Sequence, residues 1–509
     1  MVRSITFLLP ALALSFSPPP LPRRSVHQLV LSRPNLLFST TEEAQQSDAT
    51  VALPHDEQYT FKMGESVQYW LDYQPESTDG AENLRNAAAR AIQQAGTDAR
   101  ARRYWSYHLA RATFFAGQGA AAVLNYRLFD SSKSDSSSTP SSSSSYDLNL
   151  LDNDDGNDAA PETPLATGGF DVLFNFIGSI FPEAVATWEQ DWVAIKDGKF
   201  SVPYDMRQGV RSRQVNPFYL ADQSRRYIKE ARSILTRRNR RLDSDIGAKP
   251  ADDDSFPYPD YYKNNFHFQS DGWFSKDSAK VYDSSTETLF LGRQDAMQRL
   301  CLYSMSSWAK EQGVLGGGEG LKMLEVACGT GRLNAFVRDN YSAAEMVASD
   351  LSKYYLEEAK GHAERWEKFA KREDRNKKIG KFSVLQAAAE ELPFEDNSLD
   401  VVFNVYMFHE MPTEARRKSA MEMARVVKPG GLVVWVDSVQ KGDRPSLDDS
   451  LANFQYLNEP HYPSHLVEDV PKLFVEAGLE CFEKHVASTS KSLSFVKPKA
   501  KAKKEEEAF

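Results

Sequence analysis

The rhythm of apolar and polar positions changes near residue 321. Downstream, short apolar runs at Leu321–Val326, Met346–Ala348 and Leu399–Phe403 alternate with stretches of helical period. Strands separated by helices predict a parallel α/β sheet with helices on both faces. Upstream the pattern is helical. Ala99–Tyr126 carries Trp105, Leu109, Ala112 and Ala116 at helical spacing. Phe170, Leu173, Phe174, Ile177 and Phe181 form an apolar stripe that fits a packed core helix or a membrane-surface helix, and Pro182 is expected to end or kink it. A further helix is predicted over 217–241, with Tyr227, Ile228, Ala231, Ile234 and Leu235 inward. Its basic end, Arg237 to Arg241, suits a solvated helix terminus or an anion site.

These rhythms divide the chain. Residues 53–130 form a helical N-terminal region. Residues 131–165, rich in Ser and Asp, cannot bury enough apolar surface to offset their ordering entropy and are expected to be a disordered linker. Residues 166–300 hold helices and a dense aromatic segment, 301–497 the α/β domain, and 498–509 a charged tail.

The first 41 residues have a different character. Arg3 precedes an apolar run from Ile5 to Leu14, and Ala13 and Ser15 offer a small-residue cleavage site, the pattern of a secretory signal peptide. Arginines 23, 24 and 33 follow with no acid before Glu42. An acid-free basic stretch led by Phe16 resembles the bipartite plastid presequence of algae with secondary plastids. A plastid is therefore expected, with the secretory pathway as the alternative.

Composition narrows the function. The chain has 509 residues, enough for two or three domains. Its net charge of −10 argues against nucleic acid as a partner. Cys301, Cys328 and Cys481 lie far apart, so neither a disulfide framework nor a zinc site is expected, and no metal is predicted.

The chemistry concentrates at 321–350. An apolar strand ending in Glu325 and Val326 runs into the small-residue turn Ala327, Cys328, Gly329, Thr330, Gly331. A helix then starts near Arg332, and a second strand ends at Asp350. Glycines at a strand-to-helix turn admit close approach of a ligand, and the helix N-terminus adds free N–H donors. An acid about 20 residues beyond, at the tip of the next strand, is where nucleotide folds bind a ribose diol. A dinucleotide fingerprint would need a glycine where Asn334 stands, and Gly316–Gly318 is followed by no Gly-Lys-Ser/Thr. His409–Glu410 lacks the second histidine of a zinc-protease helix.

The segment LEVACGTGR at 324–332 resembles the first motif of class I S-adenosylmethionine-dependent methyltransferases. The resemblance continues through ASD at 348–350, AEELPFEDNSLDVVF at 389–403 and ARVVKPGGLVVWVD at 424–437. It is similar to small-molecule enzymes of the quinone- and sterol-methylating type. The resemblance implies a Rossmann-like, doubly wound sheet of seven strands, with a mainly helical N-terminal extension. It also implies S-adenosyl-L-methionine as cofactor and a small-molecule acceptor. Gly329, Thr330 and Gly331 would lie under the methionine part, Glu325 would orient the turn or the amino group, and Asp350 with Leu351 would hold the ribose. Ala388, Ala389 and Glu390 would border the adenine, and Asn404 would be a further cofactor-binding residue. Two positions depart from the family pattern: Ala327 replaces its first glycine, a mild change at a strand end, and Ala388 replaces a common acid.

The loop after Phe403 is expected to face the methyl group, with His409 as candidate general base and Tyr406 beside it; Asp437 is a third candidate. The alternative is that His409 packs or caps the helix starting at Thr413. Tyr262, His267, Gln269, Trp273, Tyr282, Arg293 and His461 are expected in the acceptor pocket or its lid, or in an aromatic minicore that docks the segment. Two other functions stay open: a non-catalytic assembly protein, or an enzyme that methylates protein. Peripheral membrane contact is compatible with the sequence, and oligomeric state is not readable from it.

Overall fold

A computed structural model of the chain describes residues 58–74, 76–77, 79–130, 170–240, 255–451, 454 and 458–499. The presequence (1–41) and the linker (131–165) lie outside the described residues, as does nearly all of the tail (498–509).

Strands β2 (Lys322–Val326), β3 (Glu345–Asp350), β4 (Phe382–Gln386), β5 (Leu399–Val405) and β6 (Val427–Ser438) are parallel. β8 (Ser490–Val496) lies antiparallel between β6 and β7 (Glu480–Ala487). β1 (Lys62–Met63) adds beside β7. The sheet order is β1-β7-β8-β6-β5-β2-β3-β4. Eight strands replace the seven expected, because a two-residue strand from far upstream pairs with Glu483 and Lys484 on β7. A pairing this short has no hydrophobic signature in sequence. Met323, Leu324 and Val326 on β2 are all buried, as a parallel strand covered on both faces requires.

The chain runs β2, β3, β4 in one direction and then places β5 on the other side of β2. That reversal opens a crevice beyond the carboxyl ends of β2 and β5, where doubly wound folds bind ligands. The register aligns Glu325 with Ala348 and Asp350 with Gln386, so the strand tips end at one level.

One face of the sheet packs against upstream helices. Trp105 and Ala112 (helix Ala99–Asp130), Trp188 and Trp192 (helix Phe170–Lys196) and Leu300 to Met305 (helix Leu300–Glu311) share one core with Phe336, Val401 and Val434. The opposite face packs against the helices Thr413–Val426 and Val470–Glu476. Pro182 does not end its helix, which continues from Phe170 to Lys196. An internal proline costs about 3 kcal/mol, comparable to one or two fully buried large side chains. Here Phe181, Val185 and Trp188 are buried on that helix, and Gly178 touches the backbone of Gly80 so closely that a Cβ would not fit. Among the described residues, no helix is long and apolar enough to cross a membrane.

Candidate active site

β2 leaves the sheet at Val326 and turns through three left-handed residues: Ala327 (φ 53°), Gly329 (φ 53°) and Gly331 (φ 70°). The two glycines serve different needs. A Cβ on Gly331 would sit 2.8 Å from Ala359 Cβ, so glycine there lets the helix Lys353–Glu373 pack close. A Cβ on Gly329 would meet nothing within 4 Å, so that position faces open space. Ala327 pays a left-handed penalty that the sequence reading underrated: the position is not a plain strand end but a strained turn.

Asp350 reaches under this turn. Its Oδ2 accepts from the Gly329 N–H at 2.8 Å, its Oδ1 from the Ser352 N–H at 2.7 Å, and the Tyr262 hydroxyl lies 3.4 Å from Oδ1. Burial pushes its pKa up, and these donors oppose the rise. A carboxylate has about four acceptor sites, so lone pairs remain for a vicinal diol. Glu325, buried at the end of β2, is pushed up to about 8 by desolvation, with the Asn334 side chain only partly offsetting it. Its Oε2 has no hydrogen-bond partner of good geometry. A buried acceptor in that condition fits an incoming ammonium group.

Gly329 and Asp350 line one pocket. Of the expected cofactor residues, Glu325, Ala327, Thr330, Leu351 and Ala389 line it too. Tyr262, Trp273 and Tyr282 line it from the aromatic segment and the following helix (Lys276–Leu289), and Tyr406 from the loop after β5. Tyr258 stacks on Tyr262, both meet Phe274 edge-on, and the cluster packs beside Leu351, holding the aromatic segment against the tip of β3. The segment is therefore both a docked minicore and a cover.

Other expected residues stand outside the lining, each for a visible reason. Gly331 serves helix packing. Ala388 packs beside the aromatic cluster of Tyr258 and Phe274. Glu390 accepts from the Tyr261 hydroxyl at 2.7 Å and so ties the cover to the loop after β4. Gln269 donates to Tyr355 at 3.2 Å and also bonds Ser278. Arg293 donates to Ser488 Oγ at 3.0 Å. His461 sits edge-on to the Tyr261 ring, and its carbonyl accepts from Arg416. Asn404 is fully buried at the end of β5, with both side-chain polar atoms unpartnered.

His409 also stands behind the pocket wall. Its Nδ1 lies 2.5 Å from Asp437 Oδ1, and its Nε2 lies 3.6 Å from Glu410 Oε1. Although burial opposes its charge, the two carboxylates raise its pKa well above the ordinary value. His409 thus rests against Asp437 and is not among the residues that line the pocket, while Glu410 beside it is. His267 repeats the arrangement from the cover. Its Nδ1 lies 2.9 Å from Glu459 and its Nε2 3.3 Å from Glu410 Oε1, and the carboxylates raise it to about 10 against the opposing effect of burial. The chain Asp437–His409–Glu410–His267–Glu459 thus meets at Glu410, the member of the five that lines the pocket. His267 (φ 55°), Tyr406 (φ 56°) and Asn458 (φ 61°) are left-handed around it, a concentration of strain typical of functional sites.

Several lining residues escaped the sequence reading because they belong to upstream helices. Arg111, Asp283, Glu287, Gln294, Asp295 and Gln298 reach the pocket from there. Asp283 accepts from Thr330 Oγ1 at 2.6 Å and pairs with His362 at 3.2 Å. The signal was not local: Glu287 stands in the largely polar helix Lys276–Leu289 and Gln294 and Asp295 in the short polar helix Gln294–Gln298, and only the fold buries them.

Residues 324–435 match the family model described as a methyltransferase domain. The ubiquinone/menaquinone biosynthesis C-methyltransferase of Idiomarina loihiensis is 35% identical over 119 residues, which is 23% of this chain and 43% of the relative. The demethylmenaquinone methyltransferase of Staphylococcus aureus is 35% identical over 123 residues, 24% of this chain and 45% of the relative. The chain spans less than half the length of these curated relatives. A solved structure of magnesium protoporphyrin IX methyltransferase from Synechocystis, with S-adenosylhomocysteine bound, is 17% identical. It covers 40% of this chain and 84% of its own, at a TM-score of 0.30.

Proposed function

We propose that this chain, whose residues 324–435 form a class I S-adenosylmethionine-dependent methyltransferase domain, transfers a methyl group to a small-molecule acceptor. S-adenosyl-L-methionine is the cofactor of that domain and supplies a methyl group already activated on a sulfonium. The observation that carries the reading is the bond between Gly329 N–H and Asp350 Oδ2, made inside a pocket that the upstream helices and the aromatic segment close.

The residues divide the work. Asp350 is placed for the ribose hydroxyls and Glu325 for the amino group. Trp273, Tyr282 and Tyr406 line the pocket and exclude water, and aromatic rings beside a sulfonium favour it by cation–π attraction. The remaining task is to hold two reactants in line in a dry site; orientation of that kind is worth roughly 7–11 kcal/mol at its upper end. The covered pocket supports a small acceptor over a protein side chain. The named relatives act in ubiquinone and menaquinone biosynthesis, and the aromatic lining is compatible with a ring-bearing acceptor of that kind.

Isothermal titration with S-adenosylmethionine tests the reading. Binding that Asp350→Ala abolishes is expected, and no binding, or binding indifferent to that change, sinks it. Incubation of cell extract with methyl-labelled cofactor then separates acceptor classes. Label in extractable metabolites supports the small-molecule acceptor, and label in protein overturns it. Measured turnover removes the non-catalytic alternative. We also propose a plastid location, supported by Arg3, the apolar run to Leu14 and the acid-free arginine-rich stretch after Phe16. A fluorescent protein carrying residues 1–60 at its N-terminus should enter plastids of an alga with secondary plastids, and its secretion would refute the proposal.

A further inference from the structure

We propose that Asp295 is a positioning residue for the cofactor turn: it acts through Arg332, and by this route the upstream helices set how tightly the chain holds S-adenosylmethionine. The inference rests on the methyltransferase reading and says what governs the cofactor part of that site.

Arg332 is the first residue of the helix Arg332–Asn340 and follows Gly331 directly. Its guanidinium donates as a fork to one carboxylate, from Nε to Asp295 Oδ1 at 3.0 Å and from a terminal nitrogen to Asp295 Oδ2 at 2.6 Å. That terminal nitrogen also meets Asp205 Oδ2 at 2.5 Å, and the other donates to the Tyr204 hydroxyl at 3.2 Å. Arg111 donates to Asp295 Oδ2 at 2.6 Å and pairs with Glu287 at 3.0 Å. A two-bond fork fixes the plane of a guanidinium as well as its position. Four upstream helices converge on this one pair: Ala99–Asp130 through Arg111, Tyr204–Arg207 through Tyr204 and Asp205, Lys276–Leu289 through Glu287, and Gln294–Gln298 through Asp295 itself.

The turn shows what each of its residues is held by. The Gly329 N–H donates back to Asp350, and Gly331 packs against Ala359. Thr330 and Arg332, the alternate positions, are bound by upstream acids instead: Thr330 by Asp283 at 2.6 Å, Arg332 by Asp295 and Asp205. The glycines answer to the α/β domain and the side chains between and after them to the upstream helices. A displacement of Asp295 therefore reaches the turn through a single side chain.

Stability alone does not account for such a network. Arg111, Asp205, Asp295 and Arg332 are all buried. Desolvating buried ions costs about as much as their attraction returns, so apolar side chains of similar volume would serve the core equally well. What the ions add is direction, and the direction is spent on the residue that ends the cofactor turn. Asp295 and Arg332 both belong to the lining of the pocket, so a direct contact between Asp295 and the cofactor is the role that the test must separate.

Calorimetric titration of the full chain with S-adenosylhomocysteine reads the coupling, with the urea midpoint of each variant measured beside it. Asp295→Asn should weaken binding about tenfold. In an Arg332→Met background the same change should cost less than about twofold, because the route it acts through is already cut. Asp191→Asn breaks a buried pair with Arg299 outside the pocket lining; it should lower the urea midpoint and leave the affinity unchanged. Should Asp295→Asn not fold, Tyr204→Phe removes one neutral partner of Arg332 and should still weaken binding about threefold. Unchanged affinity in Asp295→Asn, or in Tyr204→Phe where that variant stands in, overturns the proposal and leaves the network merely structural. An undiminished loss in the Arg332→Met background overturns it in favour of direct contact, and an equal loss in Asp191→Asn in favour of general loosening. Failure of the natural chain to bind S-adenosylhomocysteine refutes the methyltransferase reading instead, a result distinct from all of these.

Discussion

Thr330 Oγ1 donates to Asp283 Oδ1 at 2.6 Å. The bond joins the cofactor turn to the helix Lys276–Leu289, which lies upstream of the methyltransferase motifs. Asp283 also pairs with His362 on the helix after β3. Its pKa is lowered, by His362 and Thr330, in spite of burial. One carboxylate therefore fastens the upstream helix to both sides of the cofactor crevice.

Asp283→Ala should lower affinity for S-adenosylmethionine by roughly tenfold, the order expected when a charged hydrogen bond positioning a binding turn is removed. Calorimetric titration checks it. Unchanged affinity would mean that the turn holds its shape without the upstream helix.

Ala327→Gly should stabilise the protein. Alanine at φ 53° carries a left-handed penalty of about 1–2 kcal/mol, while glycine adds about 0.4–1 kcal/mol of unfolded-state entropy. The net gain should be about 0.5–1 kcal/mol, read from the urea midpoint. A loss of stability would show that Ala327 makes contacts worth more than the strain it bears.

The strand-tip residues of the pocket and part of its aromatic cover (Tyr262, Trp273, Tyr282 and Tyr406) were legible in the sequence, and the upstream helical part was not. Glu325, Gly329, Thr330 and Asp350 follow from a local rule: strand, small-residue turn, helix, strand, acid. All lie within 26 residues and reach one crevice. Gln294 and Arg111 reach it through the packing of upstream helices, which no local spacing encodes. His409 stands outside the pocket lining for a related reason. Sequence puts it on the loop after β5 but gives no sight of Asp437, 28 residues on, against which its Nδ1 rests. The proline in the helix Phe170–Lys196 shows tertiary packing outweighing a local breaker.

The His267 pair should shape stability against pH. Its folded pKa of about 10 lies above the ordinary 6.5. Below pH 6.5 the ring is charged in both states and the stabilisation is complete; it is lost as pH rises toward 10, since the unfolded ring gives up its proton first. Glu410, lowered from 4.5 to about 2, contributes above pH 4.5 and loses its contribution as pH falls toward 2. The difference in urea midpoint between the natural protein and His267→Gln should therefore be greatest between pH 4.5 and 6.5 and shrink toward pH 10. A difference that grows with pH would mean that the ring is neutral when folded.

A fragment that begins at residue 301 should not fold as an independent domain, although it holds every cofactor motif. In the intact chain Trp105, Trp188 and Trp192 share a core with Phe336, Val401 and Val434. β1 covers the edge of β7, and Asp191 pairs with Arg299, one residue upstream of the helix Leu300–Glu311. Removing residues 1–300 exposes that face of the sheet. Burying one large apolar side chain is worth about 1.5–3 kcal/mol, so losing several of these contacts exceeds a typical total stability of about 5–15 kcal/mol. Near-ultraviolet circular dichroism and denaturant titration of residues 301–509 should show no cooperative transition. A cooperative transition with cofactor binding intact would show that the upstream helices are an accessory rather than part of the core.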